Sequence, residues 1–197
     1  CTSRGHEIVH GIPSADVVLA EGDVISVDCG AIVEGFHGDS AMTLIVGGED
    51  AAPPEVGELV RTTRDALWRG IDAARVGNRL GDIGAAVQEL ADLRGYGLVR
   101  EYVGHGVGRD LHEAPSVPNY GRAGKGLKLA DGLVIAIEPM FNLGTGETVL
   151  LEDGWTVVTA DGAPSAHWEH TIAITPEGPR VLTARDDEPA RPTPAAA

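Results

Sequence analysis

The chain is short of several things. Cysteine occurs twice, at Cys1 and Cys29, which is too few for a disulfide framework and predicts a cytoplasmic setting. Lys and Arg number 15 against 30 Asp and Glu, for a net charge of −15. A chain this acidic repels phosphate backbones, so nucleic acid is excluded as a direct partner. No apolar run reaches the roughly eighteen residues that a spanning helix needs, so no membrane partner is expected. Most of the acidic charge reads as a solvated surface. What is there is ordinary otherwise: 197 residues at 43% hydrophobic content support one domain with a real core.

Four acids and one histidine do not fit that solvated surface. Asp28 closes the apolar run Val24-Ile25-Ser26-Val27, and Asp39 follows in Gly35-Phe36-His37-Gly38-Asp39. His105 lies in Gly104-His105-Gly106-Val107-Gly108. Glu138 ends Leu133-Val134-Ile135-Ala136-Ile137, and Glu169 precedes His170-Thr171-Ile172-Ala173-Ile174. Taken singly, each has a structural explanation as a hydrogen-bonding group. Burying one lone carboxylate costs several kcal/mol, and the group neutralises instead. Taken together, oxygen and imidazole donors in this number suit two divalent first-row ions.

The coarse pattern is α+β, with helices against a mainly antiparallel sheet. Val24 to Val33 reads as a strand, Glu34-Gly35 as a turn and Phe36 to Val46 as the return strand. If Val33 pairs with Phe36, Gly30 faces Asp39 and Asp28 faces Ala41. The two acids then share a face as diagonal neighbours, about 7–8 Å apart. A helix opens at Pro53-Pro54-Glu55, buries Val56, Leu59, Val60, Thr63, Leu67, Ile71 and Ala74, and stops at Gly77-Asn78. A second runs from Leu80 to Leu93 on an Ile83, Val87, Leu90 stripe. Strands are expected at 99–103, 133–140, 148–151, 155–159 and 166–174, with hairpin signals at Asp153-Gly154 and Asp161-Gly162. Residues 113–132 read as one long loop of the kind that covers a site.

Other motifs are excluded by residue. A dinucleotide fingerprint needs a glycine at Arg109, and a zincin helix needs a histidine at Ser116 and no Pro115. Gly124-Lys125-Gly126 lacks the hydroxyl and upstream glycine of a phosphate loop.

Several strings resemble the methionine aminopeptidase family in order. They are Cys1-Thr2-Ser3 with His10-Gly11-Ile12-Pro13, Gly35-Phe36-His37-Gly38-Asp39, His105 through His112-Glu113-Ala114-Pro115, Ile137-Glu138-Pro139, Asp153-Gly154-Trp155-Thr156-Val157 and Glu169-His170-Thr171. The thirty-one residues from Glu138 to Glu169 resemble the type I class, since the type II class carries a helical insertion there. The resemblance implies a pita-bread fold over residues 1–184, with helices on the outer face of a curved antiparallel sheet. It implies a further segment ahead of the position of Cys1. Residues 185–197, rich in Pro, Ala and charge, read as a disordered tail.

The same resemblance implies the site. Asp28, Asp39, His105, Glu138 and Glu169 match five ligands of two divalent ions (Co, Mn, Fe, Zn or Ni), with Asp39 and Glu169 bridging. Glu138 would also move the proton as general base and acid. His112 matches a histidine that polarises the scissile amide. His10 matches one near the substrate's amine end, and Cys1, Leu111 and Trp155 match positions around the methionine pocket. Leu111 replaces an aromatic residue common in the family, and His167 stands where Gln is common. His6 and His167 are expected at the surface or rim, and His37 and His170 in structural roles. The implied reaction removes the first methionine from nascent proteins, with their N-terminal peptides as substrate and the ribosome as a candidate partner. Two alternatives stand: an Xaa-Pro aminopeptidase or dipeptidase on the same fold, and a non-catalytic binding module.

Overall fold

Antiparallel pairing runs through every sheet of the computed structural model, which describes residues 1–186. The chain opens with β1 (Thr2–Arg4) and β2 (Glu7–Val9). A broken hairpin follows: β3 (Val24–Asp28), β4 (Ala31–Val33), β5 (Phe36–Gly38) and β6 (Ala41–Ile45). Two helices come next, α1 (Pro54–Ala73) and α2 (Leu80–Arg94). Then come β7 (Gly97–Leu98), β8 (Gly104–Gly106), β9 (Glu113–Val117), β10 (Val134–Ile137) and β11 (Met140–Asn142). The last strands are β12 (Thr148–Leu150), β13 (Val157–Thr159), β14 (Ser165–His167), β15 (His170–Thr175) and β16 (Gly178–Val181). The largest sheet has the order β16-β15-β10-β8-β9, accompanied by three-stranded sheets β1-β3-β6, β14-β11-β7 and β12-β13-β2 and by the two-stranded β4-β5 pair.

The helices close the apolar side. Val56, Leu59, Val60, Leu67 and Ile71 of α1 are buried, as the three-and-four spacing requires. Ile83, Val87 and Leu90 of α2 join them. These rows pack with Ile135, Ile137, Phe141, Ile172 and Ile174 from the sheets in one core. Each such side chain contributes about 1.5–3 kcal/mol by leaving water. Gly95 ends α2 in the left-handed conformation at φ 69°, which only glycine adopts without strain.

Two antiparallel ladders are each opened once, and the acids stand at the openings. In the first, Val33 pairs with Phe36 and Asp28 with Ala41, the register read from the sequence. The predicted long strands are interrupted at Cys29-Gly30 and Asp39-Ser40. In the second, Ile137 pairs with His170 and Met140 with His167. That register puts Glu138 directly opposite Glu169, both in the gap. The openings are tied to each other. Asp39 gives its N–H to Thr171 Oγ1 at 2.8 Å, and Glu169 and Ala41 exchange N–H···O bonds of 2.9 and 3.3 Å. The backbone at Asp39 leaves its hairpin partner because it takes new partners beside Glu169.

Three expectations need correction. Residues 99–103 form no strand; β7 ends at Leu98, and the chain crosses to another sheet to deliver His105. The 113–132 loop begins with β9, paired to β8. Its remainder lies over the start of α2, where Gly81 N bonds Lys125 O and Gly124 N bonds Asp82 Oδ1 at 2.7 Å, so it does not cover the site. Asp161-Gly162 joins strands of different sheets; only Asp153-Gly154 serves a hairpin, between β12 and β13. Of the expected tail, residues 187–197 lie outside the described residues, while Arg185 Nη1 donates to Ser40 Oγ at 2.6 Å.

Candidate metal centre

Five elements aim polar groups into one cleft. Asp28 comes from the end of β3, Asp39 from the gap after β5 and Glu138 from the gap after β10. Glu169 comes from the gap before β15, and His105 from the middle of β8. The cleft has a volume of about 110 Å³, and all five residues line it together with His10, His112 and His167. Glu169 is 2% exposed and Asp39 7%.

Glycine explains how His105 arrives. A side chain on Gly104 would come within 2.3 Å of the Ala136 carbonyl, and one on Gly106 within 2.3 Å of the Ala114 carbonyl. The backbone therefore presses against both neighbours, which requires glycine on each side. His105 Nδ1 sits 2.9 Å from Gly106 O and is thereby oriented. Its Nε2 then faces Glu138 Oε1 at 3.5 Å and Asp39 Oδ2 at 4.0 Å. Donor atoms of Asp39, His105 and Glu169 all lie within 4.8 Å of one another.

The electrostatics are those of crowded anions. Burial first, then repulsion from Asp39 and Asp28, pushes Glu138 up to about 8. Glu169 is raised well above its ordinary value by burial and by Glu138, Asp39 and Asp28. Asp28 is raised as well, chiefly by burial. Burial lowers His105, which keeps a neutral nitrogen available. Glu169 Oε1 is buried with no hydrogen-bond partner. Buried carboxylates that repel each other, an oriented neutral imidazole and an unpartnered oxygen fit divalent cations, and the oxygen-rich donor set suits first-row ions.

His10 and His112 flank the cleft. His10 holds φ 64°, uncommon for a residue with a side chain and a frequent mark of functional positions. Its ring stacks on Trp155 at 5.0 Å and meets Tyr102 edge-on at 5.9 Å. His112 is exposed at the mouth, its ring 4.3 Å from that of His105.

The other sequence-predicted positions are farther out. Trp155 is 51% exposed and reaches the cleft only through His10. Leu111 is half-buried, and neither it nor Cys1 lines the cavity. Cys1 is exposed, and its backbone nitrogen lies 2.7 Å from Asp28 O. His37 and His170 have hydrogen-bond partners outside the cleft, Gly108 O and Thr183 Oγ1.

His167 corrects the sequence reading. It is not at the rim but buried, 2% exposed, inside the cleft. The signal was present: residues 167 and 169 are two apart and share a face of an extended chain. Tyr102 was also missed, because residues 99–103 read as an ordinary strand.

The model of metallopeptidase family M24 matches residues 1–176. The chain belongs to that family. It is 50% identical over 183 residues to a methionine aminopeptidase from Clostridium acetobutylicum, covering 93% of this chain and 72% of that one. A solved methionine aminopeptidase from Thermotoga maritima is similar at TM-score 0.89 and 48% identity, covering 94% of this chain and 73% of that one. A prolidase from Pyrococcus furiosus has TM-score 0.72 and 26% identity, covering 94% of this chain and 48% of the prolidase. The architecture is thus the pita-bread fold, and membership of the M24 metallopeptidase family implies use of a divalent metal.

Proposed function

We propose that this protein is a methionine aminopeptidase that removes the N-terminal methionine of proteins by hydrolysing their first peptide bond. The observation that carries the reading is the convergence of four carboxylates and one imidazole in a single buried cleft, with His10 and His112 beside it. The high identity to methionine aminopeptidases favours methionine over an Xaa-Pro specificity.

Asp28, Asp39, His105, Glu138 and Glu169 would hold two divalent ions, drawn from Co, Mn, Fe, Zn and Ni. When bound, such ions supply Lewis acidity and lower the pKa of water toward neutrality. The protein's own side chains do the rest. Glu138, which lines the cleft beside His105, accepts a proton from the attacking water and returns it to the leaving amine. His112 donates to the carbonyl oxygen as charge develops on it. His10, fixed between Trp155 and Tyr102, orients the first residue from its amine end. Half-buried Leu111, exposed Trp155 and Cys1 border the approach to the methionine side chain. The substrates are N-terminal peptides of nascent proteins, and the place of action is the cytoplasm, at or near the ribosome. Among the described residues no helix is long and apolar enough to cross a membrane.

The test is hydrolysis of a Met-Ala-Ser peptide by the metal-loaded protein. Release of methionine, with an Xaa-Pro peptide left intact, supports the reading. Preference for the Xaa-Pro peptide makes the protein a prolidase-like relative, and hydrolysis of neither makes it a binding module.

A further inference from the structure

His167 is the one buried histidine in the cleft with no role in the reading above. Neither ring nitrogen has a hydrogen-bond partner, although the side chain is 2% exposed. A neutral imidazole carries one N–H and one lone pair, and leaving either unpaired when buried costs about 1–3 kcal/mol. A group held at that cost calls for a compensating role.

The ring's placement is enforced from behind. Thr43 Oγ1 accepts the His167 N–H and donates to the His167 carbonyl, both at 2.8 Å. Ser26 Oγ holds Thr43 Oγ1 at 2.8 Å in turn. The pairing of His167 with Met140 fixes the strand register beside Glu138. With the backbone clamped, the side chain points at the carboxylate. Its Nε2 lies 3.7 Å from Glu138 Oε2, while His105 Nε2 lies 3.5 Å from Glu138 Oε1. Two imidazoles therefore face the two oxygens of one carboxylate. At 3.7 Å the contact is longer than a hydrogen bond, which would form if Nε2 and Oε2 approached by about half an ångström.

We propose that His167 is a positioning residue for Glu138: its Nε2–H holds Oε2, and Oε1 is thereby presented on the His105 side as the ligand oxygen. Carboxylate ligands are commonly fixed in this way by a neighbouring donor, and losing the donor weakens metal binding. The proposal rests on the metal-centre reading above. It adds a residue that acts through Glu138 without touching substrate.

The test compares metal-free wild type, His167→Ala and His167→Gln by calorimetric titration with Co(II), with kcat and KM on Met-Ala-Ser measured alongside. The glutamine amide N–H reaches about where Nε2 does. In His167→Ala, Co(II) affinity falls about 10- to 100-fold and kcat falls at least about tenfold, with KM nearly unchanged. His167→Gln recovers most of both. Wild-type affinity and kcat in His167→Ala overturn the proposal. So does equal loss in both variants, because the ring is then a ligand or a packing element. If His167→Ala does not fold, His167→Leu replaces it: loss in Leu with recovery in Gln supports the proposal, and equal behaviour overturns it. A wild type that binds no Co(II) removes the metal centre itself, and His167's role with it. Wild-type binding with an unaffected His167→Ala removes only His167's role.

Discussion

Single residues decide the chemistry. Asp39 and Glu169 are the deepest of the acids, and their donor atoms lie with His105 inside a 4.8 Å group. Replacing either by alanine removes an anionic donor from the centre of that group. Asp39→Ala and Glu169→Ala are predicted to lose metal and hydrolysis together, measured by metal analysis and peptide turnover. Either variant turning over with two bound ions contradicts their assignment. His112 stands apart, exposed at the mouth and against the His105 ring. His112→Ala is therefore predicted to keep its metal but to slow kcat by about 10²-fold, as expected for one lost oxyanion donor. A kcat equal to wild type removes His112 from the mechanism.

At the scale of elements, the site is made by interrupted pairing. Thr171 Oγ1 accepts from Asp39 N and donates to Asp39 O, both at 2.8 Å, and so locks one opened ladder against the other. Thr171→Val keeps the shape but strands the buried Asp39 N–H. Unfolding by urea should show a loss of about 1–3 kcal/mol, with weaker metal binding alongside. Stability and affinity unchanged from wild type would mean the two ladders do not depend on this clamp. Much of this level was legible in the sequence. The two helices, their buried rows and the Val33–Phe36 register follow from periodicity and turn residues. The openings were not legible, because strand propensity continues through Cys29 and Trp168, and Gly30, Gly38 and Pro139 beside them weaken a ladder without naming the new partner. The burial of His167 escaped for a related reason. Its orientation depends on Thr43, 124 residues away in sequence.

The whole molecule folds around charges that repel one another. In the metal-free protein Glu138 is raised to about 8, and Glu169 and Asp28 are raised too. A carboxyl whose folded value exceeds its unfolded one binds more protons in the fold. Its contribution to stability is complete below the unfolded value near 4.5 and is lost as pH rises through about 8. The lowered histidines His10, His105 and His167 act in the opposite direction, but only below their ordinary 6.5. Between pH 6.5 and 8 the carboxylates should therefore dominate, and the melting temperature of the metal-free protein should fall. Metal loading should raise the melting temperature and flatten that slope, because the bound carboxylates are already ionised. A metal-free melting temperature that rises across this window would show that the acids do not repel as placed.

The central claim is that five side chains from separate strands share a pair of cations. Anomalous diffraction from crystals of the metal-loaded protein tests it most directly. The account predicts two peaks about 3.5–4 Å apart, with Asp39 and Glu169 touching both, Asp28 on one, and His105 and Glu138 on the other. Two ions held elsewhere, a single ion, or none in this cleft would contradict it.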